Sequence, residues 1–302
     1  MYHPQLYIFI TVADCGSFNK AAERLFLSAT AVMKQMNSLE TRIGVKLIER
    51  TAHGIHLTNA GEQFYKDAKF IIKYSANAVS RIRQSANDGK YVIKVGTSVL
   101  NPCKILMDLW GQIDDIYANF KINVIPFEDD HNNILTVIGD IGSKFDFIVG
   151  ACDSPMWLAR CNFYKLGEYR ECVAVPRNHP LASKTMLRLE DLHGEKLLMV
   201  EKGVSTRLDK LHDELERNHP QIQLEVTSFY DIDVFNTCER NGGVMLTLDA
   251  WAEVHPSLVT IPVDWDYTIP YGILYPLHPS DDIVQFLDMI RTVVHKTPVR
   301  SS

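Results

Sequence analysis

This chain is poor in the features that announce most chemistries. Its six cysteines, at 15, 103, 152, 161, 172 and 238, include no Cys-x-x-Cys pair, which excludes the common zinc-ribbon and thioredoxin-like spacings and fits reduced thiols. It has no secretory signal pattern and no apolar run of membrane-spanning length, so a cytoplasmic protein without a membrane partner is expected. It also lacks Gly-x-Gly-x-x-Gly, Gly-x-x-x-x-Gly-Lys-Ser/Thr, Gly-x-Ser-x-Gly and His-Glu-x-x-His, the short signatures of dinucleotide, phosphate, acyl-transfer and zinc-protease chemistry. The eleven histidines are scattered. His53 and His56 lie close in sequence, but no further ligand stands at a recognised spacing, so neither metal nor cofactor is expected. An α/β enzyme with a triad assembled from distant residues stays open as an alternative.

Net positive charge is missing too: the 302 residues sum to -6. The sum hides an asymmetry. Residues 1 to 88 hold 11 Lys plus Arg against 7 Asp plus Glu, a balance of +4; the remainder holds 20 against 30, a balance of -10. A basic front on an acidic body confines attraction for phosphate to one end and discourages non-specific coating of DNA. With 46% hydrophobic residues the chain is long enough for more than one buried core.

The front carries the strongest pattern. Leu6, Phe9, Ile10 and Ala13 follow helical spacing and predict a helix from Pro4 to about Asp14. Gly16 suits its left-handed end, and Ser17 suits the cap of a short second helix with Phe18, Ala21, Ala22 and Leu25 inside. The pair Ala21-Ala22 lets a neighbouring helix pass closely. Phe26 and Leu27 make a turn, Ser28 caps a third helix from Ala29 to about Ile43, and Gly44 stops it. Val32, Met36, Leu39 and Ile43 share one face of that helix. At about 100° per residue, Thr30, Lys34, Asn37 and Thr41 share the opposite one. A short-armed polar face with one cation suits a major groove, although an ordinary solvated face has the same make-up. Lys46-Leu47-Ile48 and Ile55-His56-Leu57, around a turn containing Gly54, read as a β-hairpin. Arg50 and His53 in it can reach phosphates or a minor groove.

The run Gly16-Ser17-Phe18, Ala21-Ala22-x-x-Leu25, Leu39-Glu40-x-x-x-Gly44, Arg50 and Leu57-Thr58-x-x-Gly61 closely resembles the winged helix-turn-helix of the LysR-type transcriptional regulators. The resemblance implies DNA contact through Ser28, Ala29, Thr30, Met33, Lys34, Gln35, Asn37, Ser38, Arg50, Thr51 and His53. Ala29, Thr30, Met33, Lys34 and His53 depart from the residues frequent in that family, so base preference is not carried over. Double-stranded DNA and the transcription machinery are the implied partners.

Thr58 can cap a long helix from Asn59 to about Ala86, followed by a hinge at Asn87-Asp88-Gly89. Phe64, Ala68, Ile71, Ser75, Ala78 and Ile82 recur at spacings of four and three, a heptad-like seam. Phe64, Ala68, Ile71, Ala78 and Ile82 are therefore expected between two chains; burial on the helix's own body is the plainer alternative. The resemblance implies a homodimer through this helix and a homotetramer through the body.

From Tyr91 the pattern becomes strand–helix alternation. Strands at 91–95, 121–126, 145–149, 171–175, 197–200, 224–227, 244–248 and 271–275 alternate with helices, one of them over 102–117. This predicts α/β architecture and a largely parallel sheet. Here the chain resembles, more loosely, the effector domain of the same family, which is similar to type II periplasmic binding proteins. The domains expected are 1–58 (winged helix-turn-helix), 59–89 (linker helix and hinge) and 90–302 (effector domain). The last divides into lobe one, about 91–164 plus 266–302, and lobe two, about 165–265.

Open α/β sheets bind ligands beyond the carboxyl ends of their strands. Thr97-Ser98-Val99 and Gly203-Val204-Ser205-Thr206 each precede a helix and offer hydroxyls and free N–H groups, which suit an anion. Plain helix capping by Ser98, Ser205 and Thr206 is the even alternative. Phe229, Tyr230 and Thr247 are candidates for the cleft wall. The function expected is a DNA-binding regulator answering to a small anionic metabolite. A ligand-free architectural DNA-binding protein is the main alternative, and a hollow polar cleft separates the two.

Overall fold

The computed structural model describes residues 2–51, 54–88, 91–113, 120–129 and 131–296. The chain separates into two compact units, residues 1–89 and 90–302.

The first unit is built from α1 (Pro4–Cys15), α2 (Phe18–Leu25), α3 (Ala29–Ile43), the hairpin β1 (Ile48–Thr51) and β2 (Gly54–Leu57), and α4 (Asn59–Asp88). Gly16 ends α1 at φ +59° and Gly44 ends α3 at φ +79°. Ser28 caps α3 by accepting from the Ala31 N–H at 3.2 Å, but Ser17, expected to do the same for α2, makes no side-chain cap bond. Phe26 ends α2 at φ +55°. Phe9, Val12, Ala21, Val32, Met36, Leu39 and Leu47 form the core. Ile43, placed on the buried face of α3 by its spacing, is exposed, because it lies in the last turn beyond the core.

The join between hairpin and α4 explains the Leu-Thr-x-x-Gly pattern. Thr58 donates from its backbone to the Leu47 carbonyl at 3.0 Å and from its hydroxyl to the Lys46 carbonyl at 2.8 Å. The same hydroxyl accepts from the Gly61 N–H at 2.9 Å and so caps α4. A Cβ on Gly61 would stand 1.9 Å from the Leu47 carbonyl oxygen, so no other residue fits.

The expected seam on α4 is divided. Ala68 is fully buried within its own unit, and the Phe64 ring packs on Phe9 with centroids 5.1 Å apart. Ala68 is therefore corrected from an inter-chain to an internal contact, and Phe64 is half-buried against α1, which covers the first half of α4, where Tyr65 also donates to Asp14. Ile71, Phe70, Tyr74 and Ile82 are exposed and Ala78 is half-buried. The helix continues through Asn87 and Asp88, where a hinge was expected; Gly89 lies outside the described residues.

The second unit comprises β3 (Tyr91–Thr97), α5 (Lys104–Trp110), β4 (Phe120–Pro126), α6 (His131–Gly139), β5 (Phe147–Ala151), α7 (Pro155–Leu158) and β6 (Cys161–Pro176). It continues with β7 (Lys196–Val200), α8 (Thr206–Asn218), β8 (Gln223–Thr227), α9 (Ile232–Asn241), β9 (Val244–Leu248), β10 (Leu258–Pro262), β11 (Thr268–Pro276) and α10 (Asp281–Lys296). The α5 helix is shorter than expected. Gly111 closes it, and 114–117 of the expected span lie outside the described residues. β10, which the sequence pattern did not reveal, is a short strand paired with β6.

The sheet order is β4-β3-β5-β11-β6-β9-β7-β8, with β10 also on β6. The expectation of a largely parallel sheet needs correction. β3 is parallel to β4 and β5, and β7 to β8 and β9, but β11 and β6 run antiparallel to their neighbours. The reason is β6. It pairs with β11 over Cys161 to Arg170 and with β9 from Glu171 onward, so one uninterrupted strand serves both halves of the sheet. The expected lobe boundary at 164/165 falls inside it. A bulge at Tyr271/Gly272 bends β11 opposite this stretch, and a Cβ on Gly272 would stand 2.1 Å from the Tyr164 carbonyl oxygen. Separate cores lie on the two halves, one around Val95, Phe147, Ile273 and Phe286, the other around Val173, Leu197, Met199 and Leu246.

Candidate DNA-binding surface and ligand cavity

One face of α3 is spent on the core. The other presents Thr30, Lys34, Gln35, Asn37, Ser38 and Thr41, all exposed; Ser28 before it is exposed, and Ala29 and Met33 are half-buried. Thr41 donates to the Asn37 carbonyl at 2.8 Å, and two further side chains are held from other elements. Gln35 accepts from the Gln5 amide at 2.9 Å, and Asn37 accepts from Arg50 at 3.3 Å. Arg50 also lies over the Phe18 ring, 4.9 Å from its centroid, so the strand after α3 is tied to both α2 and α3. Thr51 donates to the Gly54 carbonyl at 3.2 Å across the hairpin turn. His53 lies outside the described residues.

The angle between α3 and the hairpin is set by a residue that sequence reasoning left without a role. Glu40 is 5% exposed and accepts from Leu47 N–H at 2.8 Å, Ile48 N–H at 3.2 Å and Lys46 Nζ at 2.6 Å. Burial pushes its pKa upward, but these three hydrogen bonds and the Lys46 charge outweigh it and hold the carboxyl below its ordinary value. The Leu-Glu-x-x-x-Gly motif is thus a clamp of α3 on the root of the hairpin.

In the second unit a cavity of about 100 Å³ opens beyond the carboxyl ends of β3, β5, β7, β8 and β9. Leu100, Asn101, Cys152, Asp153, Ser154, Trp157 and Ile269 line it from one half; Val200, Val204, Ser205, Leu208, Phe229, Tyr230, Thr247, Leu248 and Trp251 line it from the other. Glu171 lines it too, at the point where β6 crosses between halves. Its carboxyl is 4% exposed and makes no hydrogen bond among the described residues. Burial first, and then the charges of Asp153 and Asp249, push its pKa well above the usual carboxylate value. The hydroxyls of Tyr230 and Thr247 are buried without a hydrogen-bond partner; the Val200 amide is near the phenol but outside bonding geometry. Burial, with the charge of Glu171, raises the phenol's pKa well above its usual value.

Of the residues expected at this site, Ser205, Phe229, Tyr230 and Thr247 line the cavity, while Thr97, Ser98, Val99, Gly203 and Thr206 do not. The two turns are filled from within. Asp129 accepts from the Ser98 hydroxyl at 2.7 Å, the Leu100 N–H at 2.9 Å and the Asn101 amide at 2.9 Å. Asp153 accepts from the Thr206 hydroxyl at 3.1 Å and the Arg207 N–H at 2.9 Å, while Ser205 caps α8 through Leu208 N–H at 3.2 Å. Gly203 N–H donates to Asp209 at 2.9 Å. The expectation of an anionic ligand at these turns is therefore corrected: the chain's own carboxylates hold the donors an anion would use.

Sequence reasoning missed Glu171, Asp153, Trp157 and Trp251. Glu171 carried a legible signal, a lone acid leading directly into the buried run Cys172-Val173-Ala174-Val175. Asp153 bridges the two halves, as do Arg207, which donates to Glu168 at 3.0 Å and to the Thr268 hydroxyl at 3.0 Å, and Trp251, whose Nε1 donates to the Leu100 carbonyl at 2.8 Å. Four of the six cysteines, at 152, 161, 172 and 238, are buried. Burial first, and then Cys161, push Cys152 up to about 12, and burial pushes Cys161 up to about 11, which keeps both as thiols. Among the described residues no group of three or more His, Cys, Asp or Glu is placed to hold a metal ion, and no helix is long and apolar enough to cross a membrane.

A winged helix-turn-helix with an exposed polar recognition face, on a chain whose α/β unit encloses a cavity at the strand ends, defines the class of ligand-responsive DNA-binding regulators. Residues 3–62 match the profile of the bacterial regulatory helix-turn-helix protein, lysR family, and residues 141–294 match the LysR substrate binding domain. The chain belongs to the LysR family of transcriptional regulators, a family of DNA-binding, effector-responsive proteins and not of enzymes. It is similar to the regulator CysL of Bacillus subtilis (strain 168), 27% identical over 212 residues that cover 68% of this chain and 67% of CysL. It is also similar to YtlI of the same organism, 28% identical over 281 residues covering 88% of this chain and 84% of YtlI. Among curated relatives the match spans from 28% to 84% of their own length. The crystal structure of full-length CbnR complexed with its target DNA shares the fold, with a TM-score of 0.63 at 18% identity, covering 97% of this chain and 100% of that one.

Proposed function

We propose that this chain is a cytoplasmic homodimer that reads operator DNA through α3 and its hairpin and changes its DNA geometry when a small molecule enters the cavity beneath β6. On this reading 1–58 is the DNA-binding domain, 59–89 the linker and 90–302 the effector domain. Thr30, Lys34, Asn37 and Ser38 face the groove, with Arg50 and Thr51 at the adjoining backbone. The dimer forms along Phe70, Ile71, Tyr74, Ala78 and Ile82, an apolar strip on α4 that the chain's own core leaves exposed or half-buried. Two such dimers pair through the effector domains into a tetramer.

The observation that carries the effector role is the cavity itself. It holds two buried hydroxyls without a hydrogen-bond partner, those of Tyr230 and Thr247, which cost stability unless an occupant satisfies them, and the 4% exposed carboxyl of Glu171 beside them. That favours a ligand-responsive regulator over a ligand-free architectural protein. Closure works by differential affinity: a ligand that contacts both halves favours the arrangement in which Asp153, Arg207 and Trp251 bridge them. The test maps bound sites genome-wide to obtain an operator and its reporter, then compares wild type with the cavity-filling variant Thr247→Phe. The variant is expected to bind the operator normally and to lose every metabolite response. A retained response places the effector elsewhere.

A further inference from the structure

The cavity's walls carry a chemical preference, and it is not for anions. Trp157, Phe229, Tyr230 and Trp251 supply four aromatic rings; Glu171 and Asp153 supply two carboxyl groups; no Lys, Arg or His is among the lining residues. The positive end of α8 is already neutralised by Asp153. The unpaired groups complete the pattern. The Thr247 hydroxyl, 1% exposed, and the Tyr230 hydroxyl have no partner, and both can accept a hydrogen bond.

We propose that the cavity binds a small organic cation, an alkylammonium, with Glu171 as its counter-ion, the hydroxyls of Thr247 and Tyr230 as acceptors, and the surrounding rings as a cage. Aromatic faces attract ammonium groups and pack on their alkyl portion. An acid without a partner in a desolvated wall is the natural mate of a charge that arrives with the ligand, because the cation supplies the compensation the protein lacks. Size sets the upper limit. A cavity of about 100 Å³ is smaller than the roughly 150 Å³ that holds a benzene ring, so the ligand has about six heavy atoms or fewer. Glu171 also stands where β6 passes from one half of the sheet to the other, which puts the ligand's charge at the crossing.

This inference rests on the reading of the cavity as the effector site, and the test separates the two. The full-length protein is titrated by calorimetry with three probes of nearly equal size, butylammonium, butan-1-ol and butyrate. Butylammonium is expected to bind at least tenfold more tightly than either of the others. Glu171→Gln is expected to lose at least tenfold in butylammonium affinity and to leave butanol binding within twofold, whereas Thr247→Phe abolishes both. Butyrate or butanol binding as tightly as butylammonium, an unchanged Glu171→Gln, or no binding of the ammonium overturns the cation assignment. If butyrate or butanol binds and Thr247→Phe blocks it, the cavity remains the effector site with a different ligand class. If Thr247→Phe also retains the metabolite response of the reporter, the effector reading falls with the cation assignment.

Discussion

Replacing Glu40 by Ala should separate the geometry of the hairpin from that of the recognition helix, and its size follows from who loses a partner. Leu47 and Ile48 are buried, and both give their N–H groups to Glu40. A buried donor left unsatisfied costs about 1–3 kcal/mol, so two donors, one of them held at a longer distance, give about 2–4 kcal/mol. The Lys46 ion pair adds little, because Lys46 is 76% exposed and such pairs are worth about 0–1 kcal/mol. Lys46→Ala should therefore cost less than about 1 kcal/mol. Tryptophan fluorescence cannot follow this, since all four Trp residues, 110, 157, 251 and 265, lie in the second unit. Hydrogen exchange of the full-length protein can. At tenfold per 1.4 kcal/mol, amides over 45–50 should exchange about 30- to 700-fold faster in Glu40→Ala. The carboxyl's lowered pKa adds a sign: the clamp's contribution is complete above 4.5 and is lost as pH falls through the lower folded value. Equal damage from Lys46→Ala, or less than about 0.5 kcal/mol from Glu40→Ala, would refute the backbone-clamp reasoning.

Lys34→Ala should weaken binding to a mapped operator by about 1–3 kcal/mol while the fold persists; unchanged binding across salt concentrations removes Lys34 from the interface. Ile71→Asp should dissociate the assembly, because it places a charge on the exposed strip of α4, while Ala68→Asp should unfold the first unit instead; sedimentation paired with circular dichroism distinguishes the two. Glu171→Gln should raise the ligand-free second unit's stability at neutral pH. The folded acid keeps a proton that the unfolded chain sheds above 4.5, so this group's contribution is full below 4.5 and lost as pH rises toward the folded pKa. Urea titrations by Trp fluorescence should show the gain vanish below pH 4.5, and a pH-independent gain would contradict it.

The helices and hairpin of the first unit were legible because short local signals fix them: apolar spacing, Ser28, Gly16 and Gly44 all act within a few residues. What spacing could not decide was whose surface covers a stripe. Phe64 and Ala68 sit in register with Ile71 and Ala78, yet α1 covers only the first pair. In the second unit individual strands were legible, but direction was not. Parallel pairing was inferred from strand–helix alternation, and β6 breaks the rule by serving two half-sheets in one pass. The ligand turns failed for a related reason. Thr97-Ser98 and Ser205-Thr206 were read correctly as donor-rich, but Asp129 and Asp153 reach them from 31 and 53 residues away in sequence, and nothing local announces such occupants.

The internal occupant of the α8 terminus has an evolutionary consequence. Asp153 alone accepts from both the Thr206 hydroxyl and the Arg207 N–H. Asp and Ala codons differ by one base, and an alanine at 153 would remove one of the two wall carboxylates and uncover those donors together. A single nucleotide change would thus leave Glu171 as the wall's one carboxyl group, while the recognition helix, and with it the set of promoters, stays untouched. In a chain of this design the signal a regulon answers to can change without any change in the genes that answer.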